Sequence, residues 1–330
     1  MLVTAVWLVI ILVCIVTLLL LVLTPPSTPD AMAQHEADRY NPRVEANGDD
    51  IIEISVSEDK ASLSIPSENP RWAGHQATVL QFIQRTLDAR KVGISGRFII
   101  GLHDAYDDDL GIMVFSKRSI GQYNTVIPDL YAMGEYSDKL NSVDTINFET
   151  KKENAIFAGS STGNLDPKLN DRLRLCNWAV SRTEVDCYIT NTFPQIGEQK
   201  VSEAYPRYKE FTREHIGEKE QLENKFIISV DGNTAAWDRV PWVFNSNSIL
   251  LKKRSDQLGW YYPFMKNGVH YIEFENFDEI PSKMRTPDSV CRNIIENSSK
   301  FVNDYMKIEP QMDYMSRVLF YSSRKSSTST

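Results

Sequence analysis

The chain has 330 residues, 42% of them hydrophobic and 24% charged, which is enough apolar material for a large core and two domains. Its formal net charge is -8, and Lys and Arg form no long tract, so nucleic acid is excluded as the main partner: phosphate-backbone binding needs clustered cations. The four cysteines, Cys14, Cys176, Cys187 and Cys291, contain no Cys-x-x-Cys pair. That argues against a zinc site and leaves Cys176 and Cys187 open to a disulfide or to burial as thiols.

In chain order, residues 1–24, MLVTAVWLVIILVCIVTLLLLVLT, carry no charged side chain. As a helix they span about 30 Å or more, the depth of a bilayer core. The run is longer than the ~7–15 apolar residues of a cleaved signal peptide and no Lys or Arg precedes it. A retained single-pass anchor is expected, with the functional part on its C-terminal side. Acidic and basic residues mix after it, so the side of the membrane is not set; in a eukaryotic cell it would be the ER or Golgi lumen. Residues 25–50, rich in Pro, Ala and polar side chains, read as a stalk, and 321–330 as a disordered tail.

Between them the pattern predicts short strands over Ile51 to Ile65, a helix in ATVLQFIQRTLDARK, and strands in GRFIIG and LGIMVFSKR. A strand in NAIFAG then runs into a polar turn. DPKLNDRLRLCNWAVS reads as a helix capped by Asp166 with Pro167 at its first position. VDCYIT is a strand and RYKEFTREHIGEKEQLEN a charged helix. KFIISVDG, SILLKK and HYIEF are strands, AAWDRVPWVFNSN is a helix, and SVCRNIIENSSKFVNDYM is a long amphipathic helix. Strands alternating with helices imply an α/β fold with parallel sheets. The two domains are 51–150 and 151–320, divided near NSVDTINFETKKEN.

Ligands of open parallel sheets sit at the carboxyl ends of strands, and three strand ends carry suitable chemistry. The first is Asp104, after FIIGLH, placed to take a proton from a hydroxyl, or else a loop aspartate or cap. The run from Asp107 to Asp109 has the look of a divalent-metal site or of a solvated acidic turn, and the solvated turn is preferred. The second is the turn from Gly159 to Gly163, with hydroxyls and N–H groups for an anion or a sugar. The third is the knot from Asp231 to Arg239. There Gly232 frees the backbone, Ala235 and Ala236 leave room at a helix start, and Arg239 can grip a phosphate; the alternative is a tight turn with a surface arginine. The aromatic run Trp260-Tyr261-Tyr262 walls the site or packs in the core.

Taken in order, NAIFAGSSTGN, KFIISVDGNTAAWDRVPWVFNSNSILLKK and WYYPFMKNGVHYIEF resemble family 90 glycosyltransferases, which include Rumi-like protein O-glucosyltransferases, capsule-associated xylosyltransferases and lipopolysaccharide-modifying sugar transferases. The resemblance covers roughly residues 95 to 285. It implies a GT-B-like architecture: two Rossmann-like domains facing a cleft, with 51–150 on the acceptor side and 151–320 binding the nucleotide-sugar. It implies an inverting transfer of glucose or xylose from a UDP-sugar to a hydroxyl of a glycan, lipopolysaccharide or protein, with no required metal or other cofactor. Asp104 inherits the general-base role. Donor binding falls to Gly159, Ser160, Ser161, Thr162 and Gly163, to Arg239 with Gly232 and Ala236 beside it, and to Lys252. Many members carry arginine just before the loop glycine, and some two positions after it. Here Ala158 and Ser161 stand there, which leaves open what neutralises the departing phosphate. The competing readings are a metal-dependent GT-A-type transferase using Asp107 and Asp109, and a non-catalytic sugar-binding protein on the same fold.

Overall fold

The structure, a computed structural model, describes residues 28–104, 106, 108–118, 122–134, 140, 144–190 and 193–326. The apolar segment 1–24, Asp107 and residues 327–330 lie outside the described residues. Among the described residues no helix is long and apolar enough to cross a membrane.

Two sheets organise the chain. The first has the order β2-β1-β3-β4-β5, from β1 (Ile51–Ser57), β2 (Lys60–Ile65), β3 (Gly96–Gly101), β4 (Met113–Val114) and β5 (Thr125–Val126). It is mixed, correcting the expectation of parallel strands throughout: β1 runs antiparallel to β2 and β3, while β3, β4 and β5 are parallel. The antiparallel corner follows from a two-residue hairpin, Glu58-Asp59, both at positive φ. Asp59 stabilises it by accepting the N–H groups of Gly93 and Ile94 at 2.8 and 3.0 Å. Helix α2 (Ala73–Arg90) buries Val79, Phe82, Ile83 and Leu87, the apolar stripe of its sequence.

The second sheet, order β11-β10-β9-β6-β7-β8, is parallel in every pair. Its central strands are β6 (Lys152–Gly159) and β9 (Asn224–Ser229), flanked by β7 (Val185–Thr190) and β8 (Thr212–Arg213) on one side and β10 (Ile249–Lys253) and β11 (Ile272–Phe274) on the other. From β6 the chain winds outward one way, and from β9 the other way. Helix α4 (Asp171–Ala179) therefore lies on one face of the sheet, and helix α6 (Arg239–Phe244) lies on the opposite face. A crevice opens where the winding reverses, between the carboxyl ends of β6 and β9.

Several predicted elements come out shorter or elsewhere. Helix α4 starts at Asp171 with Asn170 as its cap, not Asp166; the Asp166 carboxylate instead accepts the Lys168 N–H at 2.9 Å in a preceding turn. Asn170 wins because its carboxamide oxygen accepts from Leu173 while its N–H₂ group holds the carbonyls of Ser161 and Asn164, each at 3.0 Å. The expected charged helix is a single 3-10 turn, Tyr208–Phe211, then β8 and a short turn, Glu218–Gln221, since it lacks a continuous apolar stripe. Helix α6 has six residues and begins at Arg239, so Ala235 and Ala236 lie in an irregular stretch ahead of it rather than at a helix start.

The stalk and tail readings are corrected for the described residues. Helix α1 (Pro29–Ala37), capped by the Thr28 hydroxyl, buries Met32, Ala33, Glu36 and Ala37. The Tyr40 hydroxyl accepts from Ile99 at 2.8 Å. Helix α8 (Ile308–Ser326) runs through the start of the supposed tail and returns from the second sheet to pack on α1, α2 and β3. Tyr314 ties it in: its ring stacks on Trp260 at 4.9 Å and its hydroxyl donates to the Val126 carbonyl at 2.8 Å. One apolar cluster thus runs from the first sheet through α8 and α6 to Ile156, Ile227 and Leu250 on one face of the second sheet. A second cluster covers the other face. Each fully buried Leu, Ile or Met contributes about 1.5–3 kcal/mol, so the crevice stands on a shared core.

A buried ion pair locks α1 in place. Lys117 Nζ lies 2.8 Å from both Glu36 carboxylate oxygens, with the side chains 1% and 0% exposed. The Val126 N–H also donates to Glu36 at 2.8 Å. Burial pulls the Lys117 pKa down, and the Glu36 charge opposes that shift. Lys117→Met, which strands the carboxylate, is expected to lower unfolding free energy by about 3–5 kcal/mol. Lys117→Met with Glu36→Gln is expected to recover most of the loss in urea denaturation. A single variant as stable as wild type would contradict the pairing.

Candidate active site

Asp104 follows the end of β3, and its neighbours fix its direction. Gly101 is required at the bend, since a Cβ there would lie 2.3 Å from the Tyr106 ring. The Tyr106 hydroxyl donates to Asp50 Oδ2 at 2.9 Å and accepts from the His103 N–H at 3.3 Å, folding the loop back onto the start of β1. His103 packs beside Trp72, ring centroids 5.6 Å apart. Asp104 is left half-buried, facing the second sheet.

Across from it, two arginines meet at the reversal point. Arg239, the first residue of α6, donates to the Ile228 carbonyl at 2.8 Å and to the Ala158 carbonyl at 2.5 Å. Arg172, in the first turn of α4, donates to the carbonyls of Val230 (3.2 Å) and Ser160 (3.1 Å) and to the Thr162 hydroxyl (2.8 Å). Both guanidinium groups stand over Phe157, 4.7 and 5.9 Å from its ring centre. They reach the same strand ends from opposite faces of the sheet. Burial first, and the Arg239 charge second, pull the Arg172 pKa down to about 10, so it stays protonated at neutral pH. An anion between the two would relieve that repulsion. Gly232 is not at positive φ, which corrects the expectation that it frees the backbone; its part is space, because a Cβ would fall 2.6 Å from Thr162 Oγ1 and 2.9 Å from Arg172 Nη2 and push on the arginine's end.

Asn233 joins the two sides. Its Nδ2 donates to Asp104 Oδ2 at 3.1 Å, and its Oδ1 accepts the Gly163 N–H at 3.0 Å. The cleft so formed has a volume of about 300 Å³. Asp104, Gly159, Ser160, Thr162, Gly232, Ala236 and Arg239 all line it, so most of the sequence-predicted site residues converge on one space. Three do not. Ser161 is fully buried and lines neither cleft; Lys252 is buried behind the knot, 3.5 Å from Asp231 Oδ1; and Gly163 lines an adjoining cleft. Trp260 and Tyr261 are core residues, 1% and 2% exposed, rather than a wall of the site. Asp109 accepts the Tyr123 N–H at 3.0 Å. Cys176 and Cys187 are free buried thiols.

The sequence reading missed Arg172, Tyr131, Trp237 and Asp238, which also line the cleft. Arg172 had a signal, a cation in the first turn after an anion-binding loop. Tyr131 had none, since it arrives from the single turn α3 (Leu130–Met133) beside the first sheet, with its ring 6.2 Å from that of Trp237. Asp129 caps that turn, accepting the Ala132 N–H at 3.0 Å. Burial pushes its pKa up from 3.8 to about 7. A raised carboxyl pKa means that the folded state holds the proton more tightly. Its stabilisation is therefore full below the unfolded value and is lost as pH rises from about 4 to about 7. Asp129→Asn is expected to flatten this slope and to be the more stable form at pH 8, measured by denaturant unfolding at pH 5 and 8. Parallel slopes in the two proteins would refute the assignment.

A sequence model of glycosyl transferase family 90 matches residues 124–328. The chain is similar to the O-glucosyltransferase LpsA of Dichelobacter nodosus, 26% identical over 110 residues, which span 32% of this chain and 34% of that protein. Among solved structures it is similar to TarM, with a TM-score of 0.39 and 10% identity, covering 55% of this chain and 37% of that one. It is also similar to the C-terminal domain of the group 1 family glycosyl transferase LpcC of Francisella tularensis, with a TM-score of 0.30 and 9% identity, covering 49% of this chain and 99% of that one. The family match takes in both arginines and Asn233 but begins after Asp104. It covers more than half of the chain, which spans about a third of the length of that O-glucosyltransferase; the chain therefore belongs to glycosyl transferase family 90.

Proposed function

We propose that the protein is a membrane-anchored, inverting transferase of GT-B type that moves glucose or xylose from a UDP-sugar to the hydroxyl of a glycan, lipopolysaccharide or protein, without a required metal. The observation that carries this reading is that Asp104 and Arg239 line one cleft. Arg172 and Arg239 would hold the diphosphate at the reversal point, with Tyr131, Trp237 and Asp238 beside the nucleoside. Asp104 would accept the acceptor's proton as its oxygen attacks the anomeric carbon. The bond from that carbon to the phosphate oxygen breaks, and its electron pair leaves with UDP. Two guanidinium groups fixed in advance stabilise this growing charge more in the transition state than in the ground state. They also answer the charge missing from the donor loop: Arg239 binds the Ala158 carbonyl, and Arg172 binds the Ser160 carbonyl on the far side. The anchor reading rests on the uncharged run 1–24.

The test is turnover of a panel of UDP-sugars by the full chain in detergent, since residues from Thr28 onward belong to the fold. UDP release from UDP-glucose or UDP-xylose, undiminished by EDTA, is the expected result. Complete loss of turnover in EDTA, restored by Mn²⁺, would favour a metal-dependent mechanism. No UDP binding would remove the donor reading.

A further inference from the structure

A second cleft of about 550 Å³ adjoins the first. The two share Asp104, Thr162, Gly232 and Asn233. Neither Arg172 nor Arg239 lines the second; its own residues include Arg118, Gln195, Asp256 and Gln257. Two of its carboxylates have lysines behind them: Asp171 lies 2.8 Å from Lys253, and Asp231 lies 3.5 Å from Lys252. Its walls therefore offer amides, hydroxyls and carboxylates with compensating cations. On the loop from Gly163 to Asn170, Leu165 and Leu169 line it while 62% and 61% exposed.

We propose that this second cleft receives the acceptor, and that the acceptor presented there is a neutral saccharide. The proposal rests on the donor reading above and deepens it. The first cleft gathers two arginines, Arg172 and Arg239, whereas the second sets one, Arg118, among Asp104, Asp171, Asp231 and Asp256, so the donor's charged half is committed to the first. Asp104 stands at the junction, where a hydroxyl arriving through the second cleft meets the base with the donor sugar beyond it. Many mixed donors and acceptors suit the hydroxyls of a sugar ring, and isolated exposed leucines suit the apolar C–H face of a pyranose. Gln195 and Asp256 line the cleft from two loops, those after β7 and β10, and form a pair of specificity-determining contacts.

Both side chains are exposed, so Gln195→Ala and Asp256→Ala leave the fold intact. The experiment measures UDP affinity by calorimetry and binding of methyl glucoside, methyl galactoside and methyl xyloside by saturation-transfer NMR, with UDP present. Rates of UDP-sugar hydrolysis, with water as acceptor, are measured alongside. At least one glycoside is expected to bind saturably to wild type. The double variant should weaken that binding about tenfold, the effect of losing one or two hydrogen bonds, with UDP affinity and hydrolysis unchanged. Weakened UDP binding in the variant would assign the second cleft to the nucleotide and overturn the proposal while leaving the transferase reading standing. Saturable glycoside binding that the variant does not change, or none in wild type that binds UDP, would overturn it as well. Wild type that does not bind UDP would instead fail the donor reading, and the acceptor site with it.

Discussion

Asp104→Asn is expected to reduce sugar transfer by about 10²–10⁴-fold, the range for loss of a positioned general base. UDP affinity should stay close to that of wild type. The substitution is nearly isosteric, and the carboxamide oxygen can still accept from Asn233 Nδ2, 3.1 Å away in the wild-type protein. The loop keeps its anchor, because the Tyr106–Asp50 contact does not involve Asp104. The loss should therefore appear in kcat with little change in acceptor KM, since the proton moves only as the new bond forms. Transfer within about threefold of wild type would show that another group takes the proton. The family match begins after this residue, so the experiment tests a role that rests on the geometry of the cleft.

Arg239→Ala should lower kcat by about 10²–10³-fold, comparable to losing one preorganised donor at a developing negative charge. It should weaken UDP binding too, because the same guanidinium would meet the ground-state diphosphate. Arg239→Lys is the informative control. It keeps the charge but loses the planar fork that now reaches the Ile228 and Ala158 carbonyls at once. It should recover only part of the rate. Arg172→Ala is expected to weaken UDP binding as well, since its guanidinium comes from the other face of the sheet to the same strand ends. Steady-state rates with a UDP-sugar and calorimetry with UDP check these outcomes. Unaltered UDP affinity in both alanine variants would rule out the arginines as the diphosphate cradle.

Much of the local structure could be read from the residues alone. The stripe of Val79, Phe82, Ile83 and Leu87 specified α2, and short apolar runs ending in polar turns specified β3, β6, β9 and β10. Candidate chemistry at three strand ends was legible because open parallel sheets place ligands there. Other errors share one cause. Residues 28–50 looked like a stalk because Pro and Ala suggest a linker, yet α1 is buried under α8, Glu36 pairs with Lys117, and Tyr40 packs on β3, elements far along the chain. Lys252 looked like a donor ligand from its place after β10, yet it sits behind Asp231 and beneath the knot. The mixed first sheet could not be seen, since strand periodicity does not encode the direction of a partner.

The sequence by itself determined many of the strands and helices, though not α1, α8 or the segment around β8, and which strand ends carry an acid, hydroxyls or a cation, because these follow from side-chain spacing over a few residues. Tertiary structure alone decided that Asp104 and Arg239 line one cleft, that Asn233 ties Asp104 to the Gly163 loop, that Arg172 joins them from the opposite face, and that α8 closes back over the first sheet. Those placements depend on strand order and on the reversal of winding between β6 and β9, which are fixed by pairing and burial between segments distant in the chain.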